Sequence, residues 1–152
     1  MAQGYTGQGI PDTGEGHITF FGNSFYDDVK GVWALLSDTS YIMFSYLSNT
    51  TTHAVNDQID YYIWLSKGTY TLSVMGATTS NSGIATYLLD DVSQGTLDWY
   101  SAGTVQGVLK TIASLVVTKS KNYKFSIKMA TTNGSSGDYY HYMASFAFFR
   151  TA

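Results

Sequence analysis

The chain has 152 residues, a mass of 16.7 kDa, a formal net charge of −3 and no cysteine. With 44% hydrophobic and only 12% charged residues, this length indicates a single globular domain and excludes a disordered chain. The acidic balance disfavours nucleic acid as a partner, and the lack of cysteine excludes disulfides and thiolate metal sites. No apolar run approaches the roughly 18 residues of a membrane span, so we expect no membrane insertion.

The N-terminal segment differs from the rest of the chain, because its sixteen residues hold five of the fifteen glycines and few large aliphatic side chains. We expect residues 1–16 to form a flexible arm, or an arm that orders on a neighbouring subunit or larger assembly through Tyr5 and Ile10. The remainder, residues 17–152, is expected to form one domain. A short first strand is expected within 17–29.

Strand periodicity then runs along the domain. Residues 69–75 (TYTLSVM) and 122–131 (NYKFSIKMAT) alternate apolar and polar side chains, and Gly68 and Gly76 are expected to bound the first of these strands. Residues 139–149 (YYHYMASFAFF) are apolar on both faces, which indicates a central strand or one covered by a second layer such as another subunit. Weaker strand candidates are 40–47, 58–65, 84–90, 95–100 and 108–118, and residues 32–36 (VWALL) fit either a short strand or a helical turn.

Composition and turns agree with this periodicity. Tyrosine and phenylalanine are abundant, proline occurs once, and small polar segments separate the strand candidates. The sequence therefore predicts an all-β protein. Its most suitable architecture is a jelly-roll-like antiparallel β-sandwich of about eight strands, preceded by the glycine-rich arm.

The residues that could carry catalysis or bind a metal form no recognisable constellation. No nucleophile elbow, zinc-binding helix motif or phosphate-binding loop is present. Asp90 and Asp91, followed by Ser93 and Gly95, fit either a polar turn between strands or a weak calcium site, since Ca²⁺ takes carboxylate and carbonyl oxygens from loops. The oxygen-rich loop 133–138 (NGSSGD) is open to the same two interpretations. We expect no catalytic residue, metal or cofactor. A small enzyme ranks third among the functional hypotheses for this chain.

Aromatic side chains are the remaining functional signal. Exposed Trp and Tyr rings can stack on the apolar faces of sugars, while carboxylates and amides bind the sugar hydroxyls. The candidate ligand-binding residues are Asp98, Trp99 and Tyr100, then Tyr139, Tyr140 and Tyr142 after the 133–138 loop, and a further cluster of Tyr61, Tyr62 and Trp64. The same residue types are favoured at subunit interfaces, so a glycan site and an interface both stay open.

A family resemblance covers a little over half of the chain. The segments that carry it are 67–74 (KGTYTLSV), 88–91 (LLDD), 95–100 (GTLDWY), 120–127 (SKNYKFSI), 133–136 (NGSS) and 146–150 (FAFFR). Together they resemble jelly-roll domains of tailed-phage virion proteins, of the tail-fibre-head and capsid-fibre or decoration types. A similar order of strands occurs in galactose-binding-like carbohydrate-binding modules, which the chain also resembles.

The resemblance to virion proteins implies a non-enzymatic structural protein that is located in the virion. It would self-assemble, with a homotrimer favoured, and attach to other virion proteins through its arm. The absence of a shaft-like segment favours a decoration or accessory protein over a complete fibre. The alternative that the second resemblance implies is a carbohydrate-binding or host-receptor-binding module, whose partners would be host surface glycans.

Overall fold

The computed structural model describes residues 16–21, 27–30, 33–36, 46–49 and 54–152. Within these ranges all regular secondary structure is β-strand, which confirms the all-β prediction. The described residues contain no helix that is long and apolar enough to cross a membrane. The strands are β1 (Gly16–Phe21), β2 (Asp27–Lys30), β3 (Trp33–Leu36), β4 (Tyr46–Asn49), β5 (Gln58–Leu65), β6 (Gly68–Thr78), β7 (Gly83–Leu89), β8 (Val92–Asp98), β9 (Val105–Val117), β10 (Lys121–Thr132) and β11 (Tyr142–Arg150).

Two antiparallel sheets face each other as a sandwich. One has the order β3-β4-β11-β6-β9, with β1 also paired to β11, and the other has the order β2-β5-β10-β7-β8. From β5 onward the chain crosses repeatedly between the sheets, which is typical of jelly rolls. Eight strands have six or more residues and three have four, so the predicted sandwich of about eight strands is confirmed.

Strand β11 is the centre of the six-stranded sheet. It pairs with β6 along one edge and with β1 and β4 along the other, which confirms the expectation of a central strand. It begins at Tyr142, three residues later than predicted. The reason is that Tyr140 belongs to a loop, where its N–H donates to the carbonyl of Asn81 and its carbonyl accepts from Gly83 N–H, both at 3.1 Å.

The core between the sheets is rich in aromatic rings. Phe146 lies with its ring centroid 4.8 Å from those of both Tyr61 and Phe125, and Phe148 packs against Phe125 at 5.2 Å. All four side chains are buried. Burying each such ring contributes on the order of 2–3 kcal/mol, so these inward positions hold the two sheets together.

Asp90 and Asp91 form the two-residue turn of the β7–β8 hairpin. Their φ angles are 48° and 66°, which is the left-handed backbone that a type I′ turn requires at both positions and that aspartate tolerates. The interpretation of this pair as a polar turn is therefore confirmed. The turn lies at the opposite end of the sandwich from the start of β11.

Strand β9 is a long edge strand with features that discourage pairing. Ser114 has a φ of 61° and Gly107 a φ of 65°, and a bulge interrupts the ladder with β6 next to Ser114. Lys110 lies opposite the buried Val74, and its Nζ donates to the carbonyl of Asp98 on the other sheet. Bulges and inward-directed charges of this kind protect sheet edges from aggregation.

The predicted arm stays a prediction, because Tyr5 and Ile10 lie outside the described residues. The first described strand begins at Gly16, which is the cross-strand partner of Arg150 near the end of the chain. The short first strand expected within 17–29 corresponds to β1.

Candidate functional site

Two of the three predicted groups of ligand-binding residues, 98–100 and 139–142, gather at one end of the sandwich, which we call the end surface. It comprises residues 79–82, 98–101 and 133–142. Isolated bridges pair Thr79 with Tyr100 and Ser82 with Tyr140, so the β6–β7 loop joins the two predicted segments. Residues that are about 40 positions apart in the sequence therefore become neighbours.

Asp98 and Asn133 form the polar link across this surface. The side-chain amide of Asn133 donates to Asp98 Oδ2, and Asp98 Oδ1 accepts the backbone N–H of Tyr100 at 2.9 Å. The backbone carbonyl of Asp98 also accepts from Lys110 Nζ. These contacts fix the carboxylate of Asp98 in a partly exposed position and leave it acceptor capacity for a ligand hydroxyl.

Trp99 is not the exposed platform that we expected from the sequence. Its side chain is fully buried, its Nε1 donates to the hydroxyl of Tyr87 at 2.9 Å, and its ring centroid lies 5.2 Å from that of His141. The Nζ of Lys110 covers the ring at 5.4 Å. Trp99 is therefore a core residue, and the prediction of ligand stacking on its ring is corrected.

Two polar side chains that lie next to Trp99, His141 and Tyr87, are also fully buried. Burial lowers the pKa of His141 to about 3, so its imidazole is neutral at ordinary pH. Burial raises the pKa of the Tyr87 phenol well above its usual value, and its hydroxyl lies 3.4 Å from His141 Nε2. Because both side chains are fully buried, neither can contact a ligand as an acid or a base.

Tyr140 and Tyr142 provide the aromatic surface that the end of the sandwich does expose. Their rings lie parallel, with centroids 5.6 Å apart and planes 5° apart, and both side chains are partly exposed. Tyr100 is also partly exposed. Tyr139 is partly exposed as well but packs against the main core, whereas Tyr142 packs against Ala77 and Ala144.

Asp90 and Asp91 lie outside the end surface and are both paired with lysines. Asp90 Oδ2 accepts from Lys121 Nζ, and Asp91 Oδ1 lies 2.6 Å from Lys124 Nζ. The hydrogen bond from Lys121 holds the pKa of Asp90 below its usual range. Among the residues that the structure describes, no group of three or more histidine or acidic side chains is placed to hold a metal ion.

A second aromatic pair, on β5, is more exposed than the tyrosine pair of the end surface. On β5, Ile59, Tyr61, Ile63 and Leu65 are buried, while Tyr62 and Trp64 face outward with 50% and 40% of their surfaces exposed. The sequence predicted a cluster here but favoured Trp99. In QIDYYIWL the aliphatic residues Ile59, Ile63 and Leu65 are two or four positions apart, and this period of two is the signal that could have identified the opposite, outward direction of the two rings.

Comparisons with known proteins give a likeness in structure alone, since no family model and no curated protein matches the sequence. The CBM36-1 domain of a multidomain xylanase from the hindgut metagenome of Trinervitermes trinervoides has a TM-score of 0.66 and 12% identity, over 90% of this chain and 98% of that one. A Paenibacillus xanthan lyase has a TM-score of 0.71 and 19% identity, over 88% of this chain but only 13% of the lyase. A CBM36 module in complex with calcium and xylotriose has a TM-score of 0.63 and 11% identity, over 87% of this chain and 98% of the module.

At these identities the likeness shows the fold alone. The chain shares the jelly-roll β-sandwich of carbohydrate-binding modules, so this half of the predicted resemblance is confirmed at the level of the fold. The resemblance to virion proteins has no support from these comparisons and stays a prediction.

Proposed function

We propose that this chain is a non-catalytic carbohydrate-binding module whose ligand site is the end surface. The observation that carries the proposal is the parallel pair of Tyr140 and Tyr142 at the same end of the sandwich as the linked Asp98 and Asn133. This surface belongs to a fold that carbohydrate-binding modules also have.

The two kinds of group suit the two kinds of surface on a sugar. The π face of a tyrosine ring carries partial negative charge and attracts the polarised C–H groups on the apolar face of a pyranose ring. The carboxylate of Asp98 accepts hydrogen bonds from sugar hydroxyls, and the side chain of Asn133 both donates and accepts. A site with these groups binds an amphipathic neutral ligand better than an ion.

The site is also held in place before a ligand arrives. The backbone of Tyr140 forms hydrogen bonds with the backbone of Asn81 and of Gly83. The carboxylate of Asp98 accepts hydrogen bonds from the side chain of Asn133 and from the backbone N–H of Tyr100. Less conformational freedom is then lost on binding, which favours affinity. The oligosaccharide in the CBM36 complex supports this class of ligand for the present chain.

Affinity gel electrophoresis tests this proposal, with soluble xylan, galactomannan, laminarin and xanthan cast into separate native gels. We expect at least one polysaccharide to retard the wild-type protein. Removing a stacking ring in Tyr140→Ala or Tyr142→Ala should weaken binding about tenfold, since a ring contact is worth about 1–1.5 kcal/mol. Tyr140→Phe keeps the ring and is the matched control, which should be retarded like the wild type. Failure of every polysaccharide to retard the wild type would refute the proposal.

A receptor-binding role on a virion is compatible with glycan binding, so the two sequence-based hypotheses do not compete at this site. The predicted virion location and attachment to other virion proteins stay predictions. The predicted homotrimer is tested by light scattering after size exclusion, where it would give three times the monomer mass of 16.7 kDa.

A further inference from the structure

The outer face of the five-stranded sheet carries an aromatic pair that the proposed end surface does not use. Tyr62 and Trp64 alternate on β5 with buried residues, so both rings project from the same face. Two residues along a strand span about 7 Å, which places the rings side by side. Among the described residues, strand β2 pairs with residues 58–60 of β5.

Polar side chains border the two rings on the neighbouring strand. Lys124 lies directly opposite Tyr62, and Asn122 lies directly opposite Trp64. The ammonium group of Lys124 is neutralised by Asp91 at 2.6 Å, and the side chain of Asp91 remains 69% exposed. The border therefore offers an amide and an ion pair whose two charges cancel, and these groups can form hydrogen bonds with the hydroxyls of a neutral ligand.

The size of the patch decides which kind of partner it suits. Aromatic side chains have about 150–250 Å² of surface each, so exposures of 50% for Tyr62 and 40% for Trp64 leave about 200 Å² in total. A specific protein–protein interface buries about 800 Å² on each partner. The other outward positions next to the pair on β10 are polar, so the patch is far too small for a second protein chain and fits the face of one or two sugar rings.

We propose that Tyr62 and Trp64 form a second carbohydrate-stacking surface, which we call the sheet surface, with Asn122 and Asp91 as hydrogen-bonding groups for the hydroxyls of a neutral glycan. This inference rests on the proposed carbohydrate-binding function, but not on the position of the first site. Trp64 lies next to Leu65, at the end of β5 that points away from the end surface. The two surfaces are therefore separate, and one chain can contact a polysaccharide at two points.

Ligand binding at the sheet surface can be measured separately by tryptophan fluorescence. Of the three, Trp33 and Trp99 are 3% and 0% exposed, whereas Trp64 is 40% exposed. Quenching of tryptophan fluorescence by iodide therefore reports on Trp64. We expect soluble xylan, galactomannan or laminarin to reduce the iodide-quenchable fraction at least twofold, and Trp64→Phe to remove most of the quenching in the free protein.

Binding variants separate the two surfaces. In affinity gels, Trp64→Ala should weaken binding about tenfold, and Trp64→Phe should weaken it much less. Tyr140→Ala should still be retarded to some extent, because the sheet surface is intact. The double variant Tyr140→Ala/Trp64→Ala should lose this residual retardation. Thermal melts establish that each variant is folded.

Three results would overturn the inference. If a polysaccharide retards the wild type but leaves iodide quenching unchanged, and Trp64→Ala binds like the wild type, the sheet surface is wrong while the proposed function stands. If no polysaccharide retards the wild type or protects Trp64, both proposals fail. If light scattering gives a dimer that Trp64→Ala abolishes, the surface is a contact between copies of the chain.

Discussion

Replacing Tyr87 with phenylalanine would remove one oxygen atom from the core and keep the ring. The hydroxyl accepts the indole N–H of Trp99 at 2.9 Å and lies 3.4 Å from Nε2 of His141. The ring itself stacks on Phe125 with centroids 6.2 Å apart, a contact that phenylalanine preserves. The substitution therefore tests the polar network with little change in packing.

The expected loss follows from the burial of Trp99. With no exposed surface, its N–H cannot turn to water when the acceptor is removed, and an unsatisfied buried donor costs about 1–3 kcal/mol. We expect Tyr87→Phe to lower the free energy of unfolding by about 2 kcal/mol. For a domain of this size, that corresponds to a fall in Tm of about 4–8 °C.

Urea and thermal unfolding followed by circular dichroism measure this loss. Tyr62→Phe is the matched control, because that hydroxyl is on an exposed side chain and its removal should change stability by less than about 0.5 kcal/mol. In a Trp99→Phe background the donor is absent, so Tyr87→Phe should cost clearly less there. An unchanged Tm for Tyr87→Phe alone, or an equal loss in both backgrounds, would refute the role assigned to this hydrogen bond.

Three further predictions concern other parts of the fold. The pKa of His141 is about 3 in the folded protein, against an ordinary value of 6.5 for histidine. The unfolded chain therefore takes up the proton first, and stability should fall as the pH drops from about 6.5 towards 3. Urea titrations should show a shallower acid slope for His141→Phe, and equal slopes would contradict this prediction. Gly76→Ala should unfold the domain or lower its Tm by more than about 8 °C, because the added Cβ would lie 2.1 Å from the carbonyl oxygen of Tyr142. Gly134→Ala is the control, which should melt like the wild type because a Cβ at Gly134 would have no heavy atom within 4 Å. Asp91→Gly should keep or raise the Tm, because glycine suits the φ of 66° at this position. If thermal melts instead show a loss of more than about 1 kcal/mol in the free energy of unfolding, the ion pair of Asp91 with Lys124 matters more to stability than the turn conformation.

The sequence predicted strands well where one face of a strand is apolar and the other is wet. β10 spans 121–132 against the predicted 122–131, because its buried apolar residues alternate with polar ones. β6 was predicted to end before Gly76 but continues to Thr78. Glycine is present there because β11 and Trp99 approach the backbone closely, and a requirement of this kind depends on contacts that are distant in the sequence.

Only part of the candidate site could be predicted from the sequence, because the rest also depends on contacts that are distant in the chain. The segments around Asp98 and Tyr140 do meet, which follows from the ends of antiparallel strands, but the sequence did not reveal which rings face solvent. Trp99 follows the last residue of β8, where strand alternation no longer determines the direction of a side chain, and it turns into the core. Trp64 lies inside a strand, where alternation fixes its outward direction.

The cross-strand pairing of Gly16 with Arg150 places the two ends of the domain side by side, at the end of β11 opposite the end surface. A second polypeptide fused before residue 16 or after residue 152 would be tethered to the same corner. The fold could even be carried as an insert in a surface loop of a host domain, since both junctions would lie close together. In either arrangement Tyr140 and Tyr142 lie at the end of the sandwich opposite the tether, so the proposed glycan site stays remote from the attachment whichever terminus carries it.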